Sequence, residues 1–229
     1  MQPKTMALAR LRADLGARVR SADAIERRPV RVSSGVAALD AVLGGGLARG
    51  AMVEATGSGR ASLALQAAAA ATGRGALVAW VDAAYGFDAR SAVRAGVDCT
   101  RLLLAQARGL GEALRAADVV LAGGGFELLV LDRVGAHGRV PDSAWARLAR
   151  RAEQADACLL VLGERAEAGT FAQVTLRLGH RNVELGPSLL GQITACAEIA
   201  RAKRRTPLME AAAGTEIALA PLDLLRRGS

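Results

Sequence analysis

The chain has 229 residues, enough for one domain with short arms, and a 52% hydrophobic content that supplies a sizeable core and excludes a wholly disordered chain. With 51 Ala and 26 Gly against 3% aromatics, its core must be built from small aliphatic side chains. The net charge of +8 sits at the ends: residues 1–31 carry eight basic and three acidic side chains (+5), residues 201–229 six and three (+3), so the remainder is neutral. That balance places the basic excess on the two ends and not on the core. The longest apolar runs, Ala76–Val81 and Ala157–Leu162, fall far short of the roughly 18 residues of a membrane span, and with no signal segment in view a cytoplasmic protein is expected.

In chain order, Leu8, Leu11, Leu15 and Val19 recur at three- and four-residue spacing between Arg10, Arg12, Asp14 and Arg18, which predicts an amphipathic helix over 6–20. Arg27–Arg31 contains Pro29 and reads as a linker. Ser33 and Ser34 are placed to cap a short helix that runs to Leu43 and stops at Gly44, Gly45 and Gly46. Short apolar strands then alternate with helices. The expected strands are Ala51–Ala55, Leu77–Val81, Leu102–Leu104, Leu128–Leu131 and Leu159–Leu162. The expected helices are Ala61–Ala71, Arg90–Ala95, Gly111–Leu121 and Ser143–Ala155. Near-continuous apolar strands separated by helices predict a mostly parallel sheet covered on both faces. Val174–Leu178, Gln192–Ile199 and Ile217–Leu219 have no long helix between them and are expected as antiparallel additions at the sheet edge. This divides the chain into an arm (1–31), a core domain (32–220) and a basic tail (221–229).

Cys99, Cys158 and Cys196 are widely spaced and the histidines are only His137 and His180, so neither a zinc site nor a disulfide framework is expected. Cys158 and Cys196 read as small buried hydrophobes.

Chemistry is expected where the first core strand meets its helix, at Thr56-Gly57-Ser58-Gly59-Arg60-Ala61-Ser62. A glycine-rich strand-to-helix turn is where a phosphate loop belongs. Such a loop needs a lysine for the terminal phosphates and then a hydroxyl for Mg²⁺. Arg60 and Ala61 occupy those positions, and Ser62 is one helical step round from the second. The loop's first glycine would fall on Glu54, whose carboxylate is expected to face the phosphate position.

The segments Ser33-Ser34-Gly35, Leu39-Asp40, Leu43-Gly44-Gly45-Gly46-Leu47, Gly50, Val53-Glu54, Ser58-Gly59-Arg60 and Leu63-Ala64-Leu65-Gln66 together resemble the RecA recombinase core around its Walker A motif. The likeness continues through Val81-Asp82-Ala83, Phe87-Asp88, Gly96-Val97-Asp98 and the Walker B-like Leu128–Asp132, and ends at Arg201–Pro207. Within this group the short, eroded form is most similar to the ImuA family, RecA-like accessory proteins of bacterial SOS mutagenesis; the SulA division inhibitors come next. The resemblance implies a RecA-like α/β fold with an N-terminal helical arm and antiparallel strands at the C-terminal edge. It also places Ala84 where the family's catalytic Glu stands and Glu164 where a phosphate-sensing glutamine stands, leaving Asp132 alone of the hydrolytic set. The degenerate site is therefore Gly57, Gly59, Arg60, Ser62, Ala84 and Asp132, with no cofactor and no metal expected. The loops that bind DNA in the family correspond to Arg133–Asp142 and Glu164–Gln173, expected here as solvated loops. Arg201, Lys203, Arg204 and Arg205 form a patch for nucleic acid or an acidic partner, with only weak, non-specific DNA contact expected. Leu8, Leu11, Leu15 and Val19 form the partner-binding stripe. The partners implied are an ImuB-like polymerase accessory, RecA, indirectly a second replicative-type polymerase, and a second copy of the chain. A division inhibitor and an ATP-dependent RecA-type recombinase are the competing functions. Of the aromatic residues, Tyr85 and Phe87 are candidate contact anchors, with folding of their loop back onto Trp80 as the alternative, and Trp145 is expected in the core.

Overall fold

The structure, a computed structural model, describes residues 30–184 and 192–202. The expected helix over 6–20, the strand Ile217–Leu219, the 221–229 tail and the basic residues Lys203, Arg204 and Arg205 lie outside the described residues. A two-stranded antiparallel ribbon opens the described chain, β1 (Arg31–Val32) pairing with β2 (Leu47–Ala48) around the short helix α1 (Ala37–Val42). Arg31, expected in the linker, is thus the first strand residue. Ser33 and Ser34 do not cap α1, which starts later, at Ala37. Their hydroxyls are instead taken by the Asp40 carboxylate, each at 2.6 Å, which pins the helix to the preceding turn.

The main sheet has seven strands in the order β5-β4-β6-β7-β3-β8-β9. They are β3 (Met52–Gly57), β4 (Leu77–Asp82), β5 (Leu102–Gln106), β6 (Phe126–Asp132), β7 (Cys158–Gly163), β8 (Val174–Glu184) and β9 (Gln192–Ala202). All neighbours run parallel except β8 and β9, so Val174–Leu178 extends the parallel sheet and the reversal comes with β9. Four longer or connecting helices complete the layers: α2 (Arg60–Gly73), α3 (Ala89–Arg94), α4 (Leu110–Gly123) and α5 (Asp142–Ala155).

The period-two alternation of strand side chains divides the interior into two cores. Val53, Val78, Trp80, Leu128, Val130 and Leu160 face one side, where Leu63, Ala64, Ala67 and Ala68 of α2 cover them. Met52, Ala79, Val81, Leu129, Leu131 and Leu159 face the other, under Ala113, Ala117 and Leu121 of α4 and Trp145 and Leu148 of α5. Trp145 is core, as expected. Alanine is enriched in these helices for a geometric reason: a helix face without bulk lies close to the sheet, which offsets the shortage of aromatic volume. Cys158 is fully buried and its thiol is pushed up to about 12 by burial, as a small interior hydrophobe should be, whereas Cys99 is exposed. The side chain of Cys196 is outside the described residues. No described helix is long and apolar enough to cross a membrane.

Candidate functional site

Parallel α/β sheets present their functional surface at the carboxyl ends of the strands. Here those ends bring together the β3–α2 connection, Asp82 at the end of β4 and Asp132 at the end of β6. β3 ends at Gly57 and α2 begins at Arg60, so the connection is two residues, Ser58 and Gly59. A phosphate loop wraps its ligand with the backbone N–H groups of a longer glycine-rich segment; two residues cannot make that cradle.

Both conspicuous glycines are explained by the backbone. Gly57 has φ of +83° and sits opposite Leu178 in the β3–β8 register; a Cβ there would lie 2.0 Å from the Leu178 carbonyl oxygen. Glycine is needed at this position for the close approach of β8, independently of any ligand. Gly59 (φ +94°) takes the left-handed conformation that turns the chain into α2, and its carbonyl accepts the first helical bond from Leu63, at 2.9 Å.

Arg60, in the lysine position, does not reach outward. Its Nη1 donates to the Gly57 carbonyl oxygen at 2.6 Å, clipping the short connection shut. Ala61 and Ser62 both line an adjacent cavity of about 240 Å³, together with Leu65, Trp80, Phe87, Ser91 and Asp132. Phe87 folds inward and meets Trp80 edge-on at 5.1 Å between ring centroids, while Tyr85 stays on the surface.

Glu54 does not face the phosphate position. It is fully buried on the opposite side of the sheet, where Oε1 accepts the backbone N–H groups of Glu167 (2.6 Å) and Ala168 (3.0 Å). The register explains this: Val53 and Ala55 point into the core under α2, so Glu54 between them must point the other way. It anchors the loop after β7.

The two strand-end carboxylates are cross-strand neighbours. Asp82 is buried and saturated, Oδ1 accepting from the Ala84 N–H (3.0 Å) and Oδ2 from the Phe87 N–H (2.9 Å). Asp132 accepts from the Val134 N–H at 3.1 Å. Burial, with a further contribution from the Asp82 charge, pushes its carboxyl up to about 6, against the opposing effects of the Val134 hydrogen bond and the Arg60 charge. Ala84, half-buried, carries no group that could take a proton from water; it lies against the turn at Gly135. Among the described residues no three His, Cys, Asp or Glu converge on a metal position. The lysine, hydroxyl and backbone cradle that hold a Mg²⁺-nucleotide in a phosphate loop have no counterparts in this connection, so the residues present do not fit that group.

The loops after β6 and β7 enclose a polar cavity of about 150 Å³ lined by Arg133, His137, Glu164, Arg165 and Glu167. Glu164, set by the family resemblance at the position of a sensing glutamine, is exposed. Arg133, expected in a solvated loop, is instead buried and paired with Glu167 at 2.8 Å. Of the basic cluster, Arg201 is described, and its Nη1 donates to the Gly169 carbonyl oxygen, tying β9 to the loop after β7. Neither contact is legible in the one-dimensional pattern, because the partners lie more than 30 residues apart.

A sequence profile of the RecA N-terminal domain matches residues 9–147, more than half of the chain. The chain belongs to the RecA family. Protein RecA of Synechocystis is 37% identical over 124 residues, which cover 53% of this chain and 35% of that protein. Protein RecA of Streptomyces venezuelae is 38% identical over 125 residues (53% and 33%), and that of Bifidobacterium longum 34% over 168 (69% and 42%). The matched part is therefore about a third to two fifths of each relative. A crystal structure of the RadB recombinase superposes with a TM-score of 0.62 at 22% identity, over 77% of this chain and 92% of that one, which establishes the fold. On that fold this RecA-family chain has the carboxylates Asp82 and Asp132 at adjacent strand ends and a two-residue β3–α2 turn.

Proposed function

We propose that the chain is a noncatalytic RecA-family adaptor of the ImuA type, acting in the cytoplasm in SOS-induced translesion synthesis and mutagenesis. The observation that carries this reading is the β3–α2 connection: two residues long, with Arg60 folded back onto Gly57 in place of an outward lysine. A RecA scaffold without a phosphate cradle has surfaces to offer and no phosphoryl chemistry to perform. The partners are an ImuB-like polymerase accessory and RecA, and through them a second replicative-type polymerase. The stripe Leu8, Leu11, Leu15 and Val19 is the docking surface for them.

Three measurements test this. Calorimetry is expected to find no Mg²⁺-dependent ATP binding at micromolar concentration, and Ala84→Glu is expected to restore no hydrolysis, since no phosphate is positioned for that base. The double substitution Leu11→Asp with Leu15→Asp is expected to weaken partner capture about tenfold, or about 1.4 kcal/mol, with an unchanged melting temperature. Micromolar Mg²⁺-ATP binding would favour the second reading, an ATP-dependent recombinase, which the retained pair Asp82 and Asp132 and the similarity to RecA support. Filamentous cells on overexpression, with damage-induced mutation intact in a deletion strain, would favour a SulA-like division inhibitor.

A further inference from the structure

We propose that the cavity beside the β3–α2 connection binds a small, flat organic cation of amidinium or guanidinium type, with its charge against Asp132. This rests on the noncatalytic reading, under which no nucleotide fills the strand ends, and gives the altered site a ligand of the opposite sign. The cavity measures about 240 Å³. A dry cavity of about 150 Å³ already admits a benzene ring, so this one has room for a ring with a polar head. Leu65, Trp80 and Phe87 wall it with apolar surface, and the two aromatic rings meet edge-on there. Such walls favour a flat apolar body, and aromatic faces attract a cation.

Asp132 supplies the polar end. It lines the cavity at only 9% exposure. Oδ1 accepts the Val134 N–H, and among the described residues no donor reaches Oδ2. Burial has raised this carboxyl to about 6, the mark of a charge left short of compensation. A buried carboxylate with a free oxygen at the end of an apolar cavity gains most from a weakly hydrated cation that carries its own N–H donors. The neighbouring charges keep the same sign. Asp82 stands beside Asp132 and Asp88 lines the cavity, and local N–H and hydroxyl donors already occupy the oxygens of both. Against these three carboxylates stand Arg60 and Arg94, which leaves one negative charge in excess. Arg60 is turned to the Gly57 carbonyl and offsets the Asp132 charge only in part, and Arg94 has a partner of its own. A phosphate would add negative charge to this end of the cavity; an amidinium removes it.

The probe is benzamidine, titrated into the full chain in buffer containing EDTA and followed by tryptophan fluorescence, which Trp80 reports from the cavity wall. Benzamide, neutral and of the same shape, and the anion benzoate are the controls. Saturable benzamidine binding is expected, with both controls at least about tenfold weaker. Asp132→Asn should weaken benzamidine at least about tenfold and leave benzamide unchanged. Ser62→Leu, at a half-buried position of α2 on the same wall, should exclude all three by filling the cavity. Arginine capped at both ends separates two sources of the cation: binding as tight as that of benzamidine points to an arginine side chain of a partner, and weaker binding to a free small molecule. Absence of saturable benzamidine binding, equal binding of benzamide, or benzamidine binding that survives either substitution overturns the proposal. In a separate titration, Mg²⁺-ATP that displaces benzamidine would overturn the noncatalytic reading as well. If neither benzamidine nor ATP binds, this inference falls and the noncatalytic reading stands.

Discussion

Replacing Asp132 with Asn in the ligand-free chain separates a relic of the hydrolytic set from a carboxylate that already holds a metal ion. Burial raises the Asp132 carboxyl from 3.8 to about 6 in the folded chain. A raised folded value means that the native state holds the proton more tightly than the unfolded state does. Its stabilising contribution is complete below about pH 4 and is lost as pH rises through about 6. Above that, the ionised carboxylate sits beside Asp82 at a net cost. The shift of roughly two units corresponds to about 3 kcal/mol at 1.36 kcal/mol per unit, a ceiling that partial solvation lowers to about 2. Asn keeps an oxygen for the Val134 N–H and carries no charge. Asp132→Asn should therefore be more stable than the parent at pH 7 by about 2 kcal/mol, or about 4–8 °C in melting temperature for a chain of this size. The advantage should shrink towards zero between pH 6 and pH 4. Melts of both proteins across pH 4–8 measure the difference, which cancels the opposite contribution of Asp118, whose carboxyl is held low. A variant less stable than the parent at pH 7 would mean that the Asp132 charge is favourable where it stands, and an advantage independent of pH would mean that the charge is not what Asn relieves; either result would overturn the relic reading.

Three further outcomes are expected. Gly57→Ala should lower stability by about 2 kcal/mol or more, since the new Cβ meets the Leu178 carbonyl and the residue keeps a left-handed φ; a neutral result in a denaturant titration would refute the close-approach explanation. Glu54→Leu should cost about 2–4 kcal/mol by leaving the Glu167 and Ala168 N–H groups without their acceptor, and limited proteolysis should then cut the loop after β7 sooner than in the parent. Single-stranded DNA at about 150 mM salt should bind only in the roughly 10⁻⁴ to 10⁻⁶ M range; tighter binding that survives charge reversal of Arg201, Lys203, Arg204 and Arg205 would move the site to the loops around Arg133 and Arg165.

Most elements were legible from the sequence because their signals are local. The helix expected over Ser143–Ala155 was found at Asp142–Ala155, since Trp145, Leu148 and Ala152 recur on one face and are buried there. The parallel sheet followed from apolar runs bounded by helices. The missing lysine and hydroxyl at Arg60 and Ala61 could likewise be read directly, because that chemistry depends on which residue stands at which position. Where the readings failed, two local possibilities were equally open. Ser33 and Ser34 had hydroxyls fit for a helix cap, but the helix starts only at Ala37, so they accept the N–H groups of Gly35 and Val36 ahead of it while donating to Asp40.

Residue identity alone determined that this is a mostly parallel α/β chain with an eroded nucleotide turn, because periodicity and side-chain chemistry are properties of the one-dimensional string. Tertiary structure decided the direction and pairing of each group. Glu54 faces away from the turn because strand register put Val53 and Ala55 under α2. Gly57 is required by Leu178, over a hundred residues later, and Arg133 is buried because Glu167 comes to it from the next loop. Asp118 of α4 is paired only once Arg147 and Arg151 arrive from α5. Contacts between residues far apart in sequence leave no periodic trace, so only the folded chain shows which charged and polar groups find partners.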